Sequence, residues 1–236
     1  MKITVLASGS SGNCYLLENE TSCLIIEAGV KLSVIKQVLD YNISKICGCI
    51  ITHEHKDHSG YISEYLRGGI KCYMTAGTAE ALNTDSPYVQ KIKAKTVFNI
   101  GGYKILPFAA KHDCNEPVGY LINHKECGNV LFATDTYYLP NTFRGLNHIL
   151  IECNYSDELL GNDNIALRRK KRLMTSHLSI DNCIGSLRAN DLSKVQNIIL
   201  IHLSNTHSNA AEFKEQVETE TGIPTTIAEK GVVIYL

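Results

Sequence analysis

The chain has 236 residues, of which 44% are hydrophobic, and its 24 acidic and 23 basic residues leave a formal net charge of −1. That length and apolar content suffice for one sizeable core, so we expect residues 1–236 to form a single domain. The near-zero net charge excludes a global field that would attract a polyanion, and the lack of an internal repeat argues against a modular array.

The chain opens with a short apolar run at residues 3–6, which predicts a first strand, and a loop rich in glycine and serine at residues 8–13. Gly9 and Gly12 permit positive φ, so the loop can turn backbone N–H groups toward an anion. A tight connection between strands explains the same glycines equally well. The candidate substrate-binding residues in this loop are Ser11 and Asn13.

The most specific pattern in the chain follows the next apolar run. Residues 52–59 read T-H-E-H-K-D-H-S, which sets four metal-ligand side chains at fixed offsets. In an extended segment, His53 and His55 point to the same side and can bind one cation. Asp57 and His58 come at the turn into the next segment, where they can hold a second cation and a bound water. The spacing therefore predicts a two-metal hydrolytic site.

A two-metal centre needs more ligands than one loop supplies. Further candidates stand shortly after three later apolar runs, where predicted strands end. A packed sheet delivers such polar side chains into a shared cleft. These candidates are His112, Asp135 and His202.

Segments of helical period alternate with the strand-like runs, at residues 31–39, 76–82, 180–192 and 210–221. This alternation predicts an α/β protein and suits a four-layer αββα sandwich. The apolar runs are too short to span a membrane, and the first residues lack the basic start and apolar core of a signal peptide. We therefore expect the protein to stay in the cytoplasm in which it is made.

The densest charge cluster of the chain is a basic run at residues 168–172, shortly before His177. Such a run is most often a solvated helical face. The alternative is a rim that binds phosphate, or a contact between subunits. The run consists of Arg168, Arg169, Lys170, Lys171 and Arg172.

The H-x-H-x-D-H motif at residues 53–58, with the later candidates, resembles the metallo-β-lactamase-fold hydrolases along the whole chain. The resemblance favours two zinc ions as cofactors and allows manganese, because mixed imidazole and carboxylate ligands do not distinguish the two sharply. It also implies a homodimer. The implied ligands are His53, His55 and His112 for one metal, Asp57, His58 and His202 for the other, and Asp135 as the bridge.

Other residues place the resemblance in the phosphodiesterase branch of that fold. His55, where flavin di-iron proteins have glutamate, and Asp135, where the best-known lactamases have cysteine, argue against those groups. The segment S-H-L-S-I around His177 resembles the transfer-RNA 3′ processing enzymes and the YycJ/WalJ-like nucleases, and the opening L-A-S-G-S-S-G-N resembles the latter. Phage anti-Pycsar enzymes, which cleave cyclic mononucleotides, share the site architecture. The resemblance thus implies a metal-dependent hydrolase of phosphodiester bonds.

The resemblance also implies catalytic roles for two residues. Asp57 would orient the attacking water and accept its proton, and His177 would donate a proton to the leaving alkoxide. A helix-capping or surface position would explain His177 as well. A thioester or lactam hydrolase of the same fold would need this acid far less.

A compact, near-neutral chain fits a small nucleotide, so the favoured substrate is a 3′,5′-cyclic mononucleotide of the cyclic CMP or UMP type, hydrolysed in the host cytoplasm if a phage encodes the protein. The alternative is a YycJ/WalJ-like exonuclease on DNA or RNA, which explains the opening motif and the basic run equally well. A long nucleic acid usually needs an extended basic surface or arm, for which only residues 155–175 are a candidate. A thioester or lactam hydrolase and a non-catalytic metal-binding module are further alternatives, and the module would usually have lost a ligand.

Overall fold

Two seven-stranded β-sheets form the centre of the protein in the computed structural model, which describes residues 1–162 and 166–236. Residues 163–165, part of the stretch 155–175 considered as a substrate arm, lie outside the described residues. The strands of the first sheet are β1 (Lys2–Ala7), β2 (Cys14–Glu18), β3 (Cys23–Ile26), β4 (Ile46–Ile50), β5 (Cys72–Thr75), β6 (Val89–Ile92) and, from the end of the chain, β14 (Val233–Tyr235). The strands of the second sheet are β7 (Phe98–Ile100), β8 (Tyr103–Ala109), β9 (Val118–His124), β10 (Gly128–Ala133), β11 (His148–Glu152), β12 (Asn197–Ile201) and β13 (Thr225–Ile227).

The two sheets have matching strand orders, β14-β1-β2-β3-β4-β5-β6 and β13-β12-β11-β10-β9-β8-β7. Strands β3 to β6 pair in parallel in the first sheet, and β10 to β13 pair in parallel in the second. The carboxyl ends of parallel neighbours meet at one edge of a sheet, which is where α/β proteins place their sites. Each sheet therefore presents one such edge to the residues that follow its strands.

Helices cover the outer faces of the two sheets. After β3 come α1 (Leu32–Val38) and a 3₁₀ turn (Ile43–Lys45), and the first half of the chain continues with α2 (Lys56–Ser59), α3 (Ile62–Arg67) and α4 (Ala76–Ala81). The second half contributes α5 (Asp157–Asn162), α6 (Leu167–Met174), α7 (Ile180–Arg188) and α8 (Ala210–Thr221). Within the ranges that the structure describes, no helix is both long and apolar enough to cross a bilayer.

Three apolar clusters hold these layers together. The central cluster lies between the sheets, where the rings of Tyr15 and Phe132 meet edge to face at a centroid distance of 5.4 Å. A second cluster packs α1, α3 and α4 on the first sheet, and a third packs α7 and α8 on the second, with Phe213 fully buried. Full burial of one such large side chain contributes roughly 1.5–3 kcal/mol. The predicted four-layer αββα sandwich is confirmed.

Candidate metal centre

The seven predicted metal ligands lie together at the edges of the sheets, six of them after parallel strands and His112 after the antiparallel strand β8. The motif residues follow β4 of the first sheet, in an extended segment that turns into α2. Three later residues follow β8, β10 and β12 of the second sheet. The cluster therefore joins the two sheets. These later residues are His112, Asp135 and His202.

One group of four donors is formed by His53, His55, His112 and Asp135. One ligand atom of each lies within 4.8 Å of those of the others. The Asp135 Oδ2 atom is 3.8 Å from His53 Nε2 and 3.6 Å from His112 Nε2. The His112 Nε2 atom is 3.0 Å from His55 Nδ1. Three imidazoles and one carboxylate oxygen thus converge on a common point.

A second group of four donors shares Asp135 with the first. The Asp57 Oδ2 atom is 3.1 Å from His58 Nε2 and 3.2 Å from His202 Nε2. The Asp135 Oδ2 atom is 3.4 Å from His58 Nε2, and its Oδ1 atom is 3.7 Å from His202 Nε2. Asp135 therefore stands between the two groups, which is the position that a bridging ligand needs.

These donors fit divalent cations. The buried His53 Nε2 atom has no hydrogen-bond partner among the described residues, although it faces three other donor groups. A buried polar nitrogen without a partner is costly, and a bound cation would be its partner. Imidazole and carboxylate ligands suit zinc, and they do not exclude manganese.

Hydrogen bonds on the far side of the rings fix how two imidazoles face the centre. The Thr52 hydroxyl donates to Glu27 Oε1 at 2.5 Å, so it accepts from His53 Nδ1 at 2.9 Å. His112 Nδ1 donates to the carbonyl oxygen of Ser176 at 2.7 Å. Because each proton is held at Nδ1, each Nε2 lone pair points toward the cluster, as a metal ligand requires.

The carboxylates of the cluster remain ionised. Burial alone would raise the pKa of Asp135, but the charges of His202 and His58 outweigh it and hold the pKa well below its usual range. The same two histidines lower the pKa of Asp57 against the effect of its burial. Burial would lower the pKa of His202, yet Asp135 and Asp57 raise it to about 10. The centre therefore has a negative field that favours bound positive charge.

Burial is also the main reason that the pKa of His53 lies well below its usual value, with the charge of His58 acting in the same direction. His58 itself is buried, which would lower its pKa, but Asp135 and Glu27 raise it well above the usual value. Neighbouring imidazoles in one cluster thus hold opposite protonation preferences, as expected where several titratable groups share one small volume.

The buried Glu152 and the half-buried His177 form a pair beside the cluster. His177 Nδ1 donates to Glu152 Oε1 at 2.6 Å, and the backbone N–H groups of Thr136 and Leu178 donate to Glu152 Oε2 at 3.1 and 3.2 Å. The His177 ring stacks on His202 with ring centroids 5.4 Å apart. Burial would lower the pKa of His177, but Glu152 raises it above its usual value. Glu152 therefore orients the residue predicted as the acid.

Sequence reasoning missed both buried glutamates of the site, Glu27 and Glu152. Each stands at the end of an apolar run, at residues 23–26 and 148–151, which is the signal that identified Asp135 and His202. The same rule, applied to every strand end, would have found them. Glu27 contacts ligand residues rather than the centre itself, since its Oε1 atom lies 3.5 Å from His58 Nδ1.

The opening loop contacts the donor cluster through the buried side chain of Asn13. Gly9 and Gly12 adopt positive φ as predicted, 133° and 154°. The Asn13 side chain is 1% exposed and donates to Asp57 Oδ2 at 3.2 Å and to the Gly9 carbonyl oxygen at 3.1 Å. Asn13 therefore positions Asp57, and its predicted contact with substrate stays a prediction.

The other candidate of that loop, Ser11, is exposed and lines a cavity next to the cleft into which the donor cluster opens. Its neighbour Ser10 lines the cleft itself. The backbone N–H groups of Gly9 and Gly12 bind within the loop, to the Asn13 side chain and to the Gly9 carbonyl oxygen. These hydrogen bonds occupy the backbone N–H groups that the predicted anion site would use.

Asp135 and His202 are held in the left-handed region, with φ of 45° and 54°. Residues other than glycine seldom adopt this conformation, and where they do, the surroundings must hold them. The Thr134 hydroxyl donates to Asp135 Oδ1 at 2.7 Å, and the His202 N–H donates to Ser8 Oγ at 2.9 Å. Local backbone strain thus coincides with two of the predicted metal ligands.

The centre opens into a cleft that is rich in polar and basic side chains. Helix α6 forms part of its wall through two arginines of the basic run. The cleft is lined by Ser10, His55, Lys56, Asp57, Asn154, Arg169, Arg172, Leu173, His177, His202, Leu203, Ser204, Asn205, Thr206 and His207.

Comparison with known proteins identifies similar chains. Residues 27–203 match the Beta-lactamase superfamily domain. Over 221 residues the chain is 29% identical to Exodeoxyribonuclease WalJ of Streptococcus pneumoniae, covering 86% of this chain and 81% of that protein. Over 222 residues it is 26% identical to Exodeoxyribonuclease YycJ of Bacillus anthracis, covering 86% and 83%. The crystal structure of the metallo-beta-lactamase fold protein YhfI from Bacillus subtilis superposes with a TM-score of 0.73 at 15% identity, covering 99% of each chain.

Proposed function

The chain belongs to the β-lactamase superfamily and is a metal-dependent hydrolase, and on that premise we propose that it is a nuclease that hydrolyses phosphodiester bonds from the end of a DNA or RNA strand. Support comes from the relatives, which are exodeoxyribonucleases and align over most of this chain. The sequence alone favoured cyclic mononucleotides. The relatives and the basic wall of the cleft make the exonuclease the stronger proposal.

The observation that carries this proposal is the contact of the half-buried His177 with the buried Glu152 beside the donor cluster. Hydrolysis of a phosphodiester expels an alkoxide, which is a poor leaving group unless it is protonated. Glu152 holds His177 through Nδ1, so Nε2 is the ring atom left to deliver that proton into the cleft that His177 lines. A thioester hydrolase expels a thiolate and has little need of such a pair.

We assign the metal-binding roles according to the two groups of donors. His53, His55 and His112 would hold one cation, and Asp135 would be shared. When bound, a pair of divalent cations activates a water and neutralises the phosphate oxygens. The second cation would be held by Asp57, His58 and His202.

The remaining steps fall to the side chains of the chain. Asp57 would orient the attacking water and accept its proton, and Asn13 holds that carboxylate in place through its amide. His177 would then give the proton of Nε2 to the leaving oxygen, and Glu152 would stabilise the imidazolium before that transfer. The proton of the water and the proton of the leaving group thus pass through different residues.

The test compares His177→Gln with wild type, both loaded with metal, on substrates with different leaving groups. On end-labelled DNA or RNA we expect the rate to fall about 10²–10⁴-fold, the usual contribution of a general acid. On bis(p-nitrophenyl) phosphate the leaving group departs as a stable anion, so the loss should be small. His124→Gln, at the end of β9, is the matched control and should leave both rates unchanged. Equal losses on both substrates would refute the role of His177 as an acid.

Cyclic mononucleotides remain the second candidate, because the cleft volume of about 620 Å³ lies in the range typical of small-molecule sites. Cyclic CMP and cyclic UMP belong in the same assay. Opening of these rings with intact polymers would replace the exonuclease proposal. The homodimer implied by the resemblance also stays a prediction, which the mass of the protein in solution would test against 26.1 kDa per chain.

A further inference from the structure

We propose that helix α6 is the strand-binding element of the enzyme, with Arg169 and Arg172 binding backbone phosphates of a polynucleotide next to the one being cleaved. This inference rests on the proposed nuclease function and names the substrate class that the same cleft accepts. It gives the basic run a specific partner, the phosphodiester backbone, in place of the solvated face that such runs usually form.

The orientation of α6 separates its basic residues into two sets. Arg169, Arg172 and Leu173 line the cleft. Arg169 and Arg172 are three residues apart, so their side chains leave the same face of the helix, with Cβ atoms about 5–6 Å apart. Lys171 does not line the cleft, because each residue turns the helix by about 100°, which directs Lys171 away from Arg172 by that angle and from Arg169 by about 160°. The helix therefore presents two neighbouring guanidinium groups to a ligand in the cleft.

The carboxyl end of α6 is tied directly to the donor cluster. The Arg172 Nε atom donates to Asp113 Oδ2 at 2.7 Å, and Asp113 Oδ1 lies 3.6 Å from His112 Nε2. The Ser176 carbonyl oxygen, just beyond the helix, accepts from His112 Nδ1 at 2.7 Å. These contacts hold the helix at a fixed position relative to the predicted metal ligands, so a strand bound along it would enter the centre in a defined register.

Arg169 is the residue best placed to bind phosphate. Within residues 1–162 and 166–236 its guanidinium has no hydrogen bond or ion pair, whereas Arg172 is paired with Asp113. A planar guanidinium can donate two parallel hydrogen bonds to a phosphate. The rest of the chain offers no general attraction, since its formal net charge is −1.

A polynucleotide and a mononucleotide place different demands on this helix. The scissile phosphate must lie at the donor cluster in either case, but only a strand carries further phosphates that can reach α6. The two guanidinium groups would be redundant for a cyclic mononucleotide, whose one phosphate is held at the centre. Helix α6 should therefore affect the binding of strands and leave small diesters untouched.

The test measures binding separately from cleavage. Metal-loaded wild type and Arg169→Gln are titrated into a fluorescent, cleavage-resistant phosphorothioate strand, DNA in one arm and RNA in the other, and anisotropy is followed at several salt concentrations. We expect Arg169→Gln to weaken binding about tenfold, and the slope of log K against log salt to fall by about 0.7, the value for one phosphate contact on a single strand. Lys171→Gln, an equal loss of charge at a position that does not line the cleft, should change neither quantity.

A second measurement uses turnover. Arg169→Gln should raise KM for a cleavable strand by about the same factor and leave kcat/KM for bis(p-nitrophenyl) phosphate and for cyclic CMP unchanged. Equal weakening by Arg169→Gln and Lys171→Gln, or an unchanged salt slope in Arg169→Gln, would overturn the assignment of α6. If wild type binds strands through Arg169 but hydrolyses no phosphodiester, the proposed function fails while the strand-binding role of α6 stands.

Discussion

Proton positions in the site are set by the groups that accept hydrogen bonds from the Nδ1 atoms of three imidazoles. The Thr52 hydroxyl and the Ser176 carbonyl oxygen each accept the Nδ1 proton of one imidazole, and Glu152 accepts that of His177. Each of these contacts leaves Nε2 as the working atom of its ring. The chemistry of the cleft thus depends on a buried outer layer as much as on the residues that line it.

The Glu152–His177 contact makes a prediction about coupling. Glu152→Gln keeps the size of the side chain, but its single carbonyl oxygen cannot accept from both His177 and the two backbone N–H groups. We expect kcat on a nucleic acid strand to fall about 10²-fold with little change in KM or in bound metal. The measurement is a double-mutant cycle with His177→Gln.

The double variant should be little slower than His177→Gln alone, because the shortest side-chain contact of Glu152 is with that ring, at 2.6 Å, whereas His202 Nδ1 lies 3.4 Å away. Losses that multiply in the double variant would contradict this and give Glu152 a role of its own. The unfolding free energy provides the check on folding, since unsatisfied groups at a buried site cost about 1–3 kcal/mol each.

At the same scale, the residues of the site were unequally predictable. The motif residues and His112, Asp135 and His202 could be found because a ligand type stands at a fixed offset or at a strand end. Asn13 could not be placed, because only the folded loop shows that its amide is buried against Asp57. The sequence shows that position 13 carries an amide side chain, but it does not show the direction in which the loop backbone orients that side chain.

At the scale of elements, strands and helices were predicted better than their ends. The apolar period continues to residue 192, yet α7 ends at Arg188. The Asn190 Nδ2 atom donates to the Ser186 carbonyl oxygen at 2.7 Å and replaces the next helical N–H. A local side-chain bond of this kind competes with helix propagation and leaves no trace in hydrophobic periodicity.

Helix starts provide the next prediction, because α7 and α8 have the same type of cap and different distances from the site. The Ser179 side chain accepts from the Asn182 N–H at the start of α7, and the Asn209 side chain accepts from the Glu212 N–H at the start of α8. Replacing either with alanine should lower the unfolding free energy by about 1 kcal/mol. Denaturant unfolding measures that loss.

Only Ser179→Ala should also lower kcat. We expect a loss of roughly threefold, which corresponds to a rise in the activation free energy of a few tenths of a kcal/mol to 1 kcal/mol. Helix α7 begins two residues after Leu178, whose N–H donates to Glu152, so a looser start releases the Glu152–His177 pair. Asn209→Ala serves as the matched control. An equal fall of kcat in both variants would show that the effect is general loosening of the fold.

At the scale of the molecule, the alternation of strand-like and helical segments indicated an α/β protein and suited four layers, but it did not give the order of the strands. Strand β14 pairs with β1, so the last strand of the chain completes the first sheet. Pairing between the two ends of a chain leaves no local pattern, because both partners read as ordinary strands. The long-range contacts that carry the ligands of both sheets to one edge are likewise absent from local periodicity.

The predicted metal ligands come from both sheets, which predicts that bound cations stabilise the whole molecule. His53 and its motif neighbours come from the first sheet, and Asp135 and His202 from the second, so bound metal would link the two halves. A ligand present at 100 times its Kd adds about 2.7 kcal/mol to the unfolding free energy, which for a chain of this size raises Tm by about 5–10 °C.

Asp135→Asn should remove most of this rise in Tm, because asparagine tolerates the left-handed backbone that Asp135 adopts but lacks the charge shared by both donor groups. Asp85→Asn, in the loop between α4 and β6, should keep the full rise. Thermal unfolding with and without zinc, and again after a chelator, measures both variants, and a Tm that zinc raises equally in Asp135→Asn and wild type would contradict the shared role of Asp135.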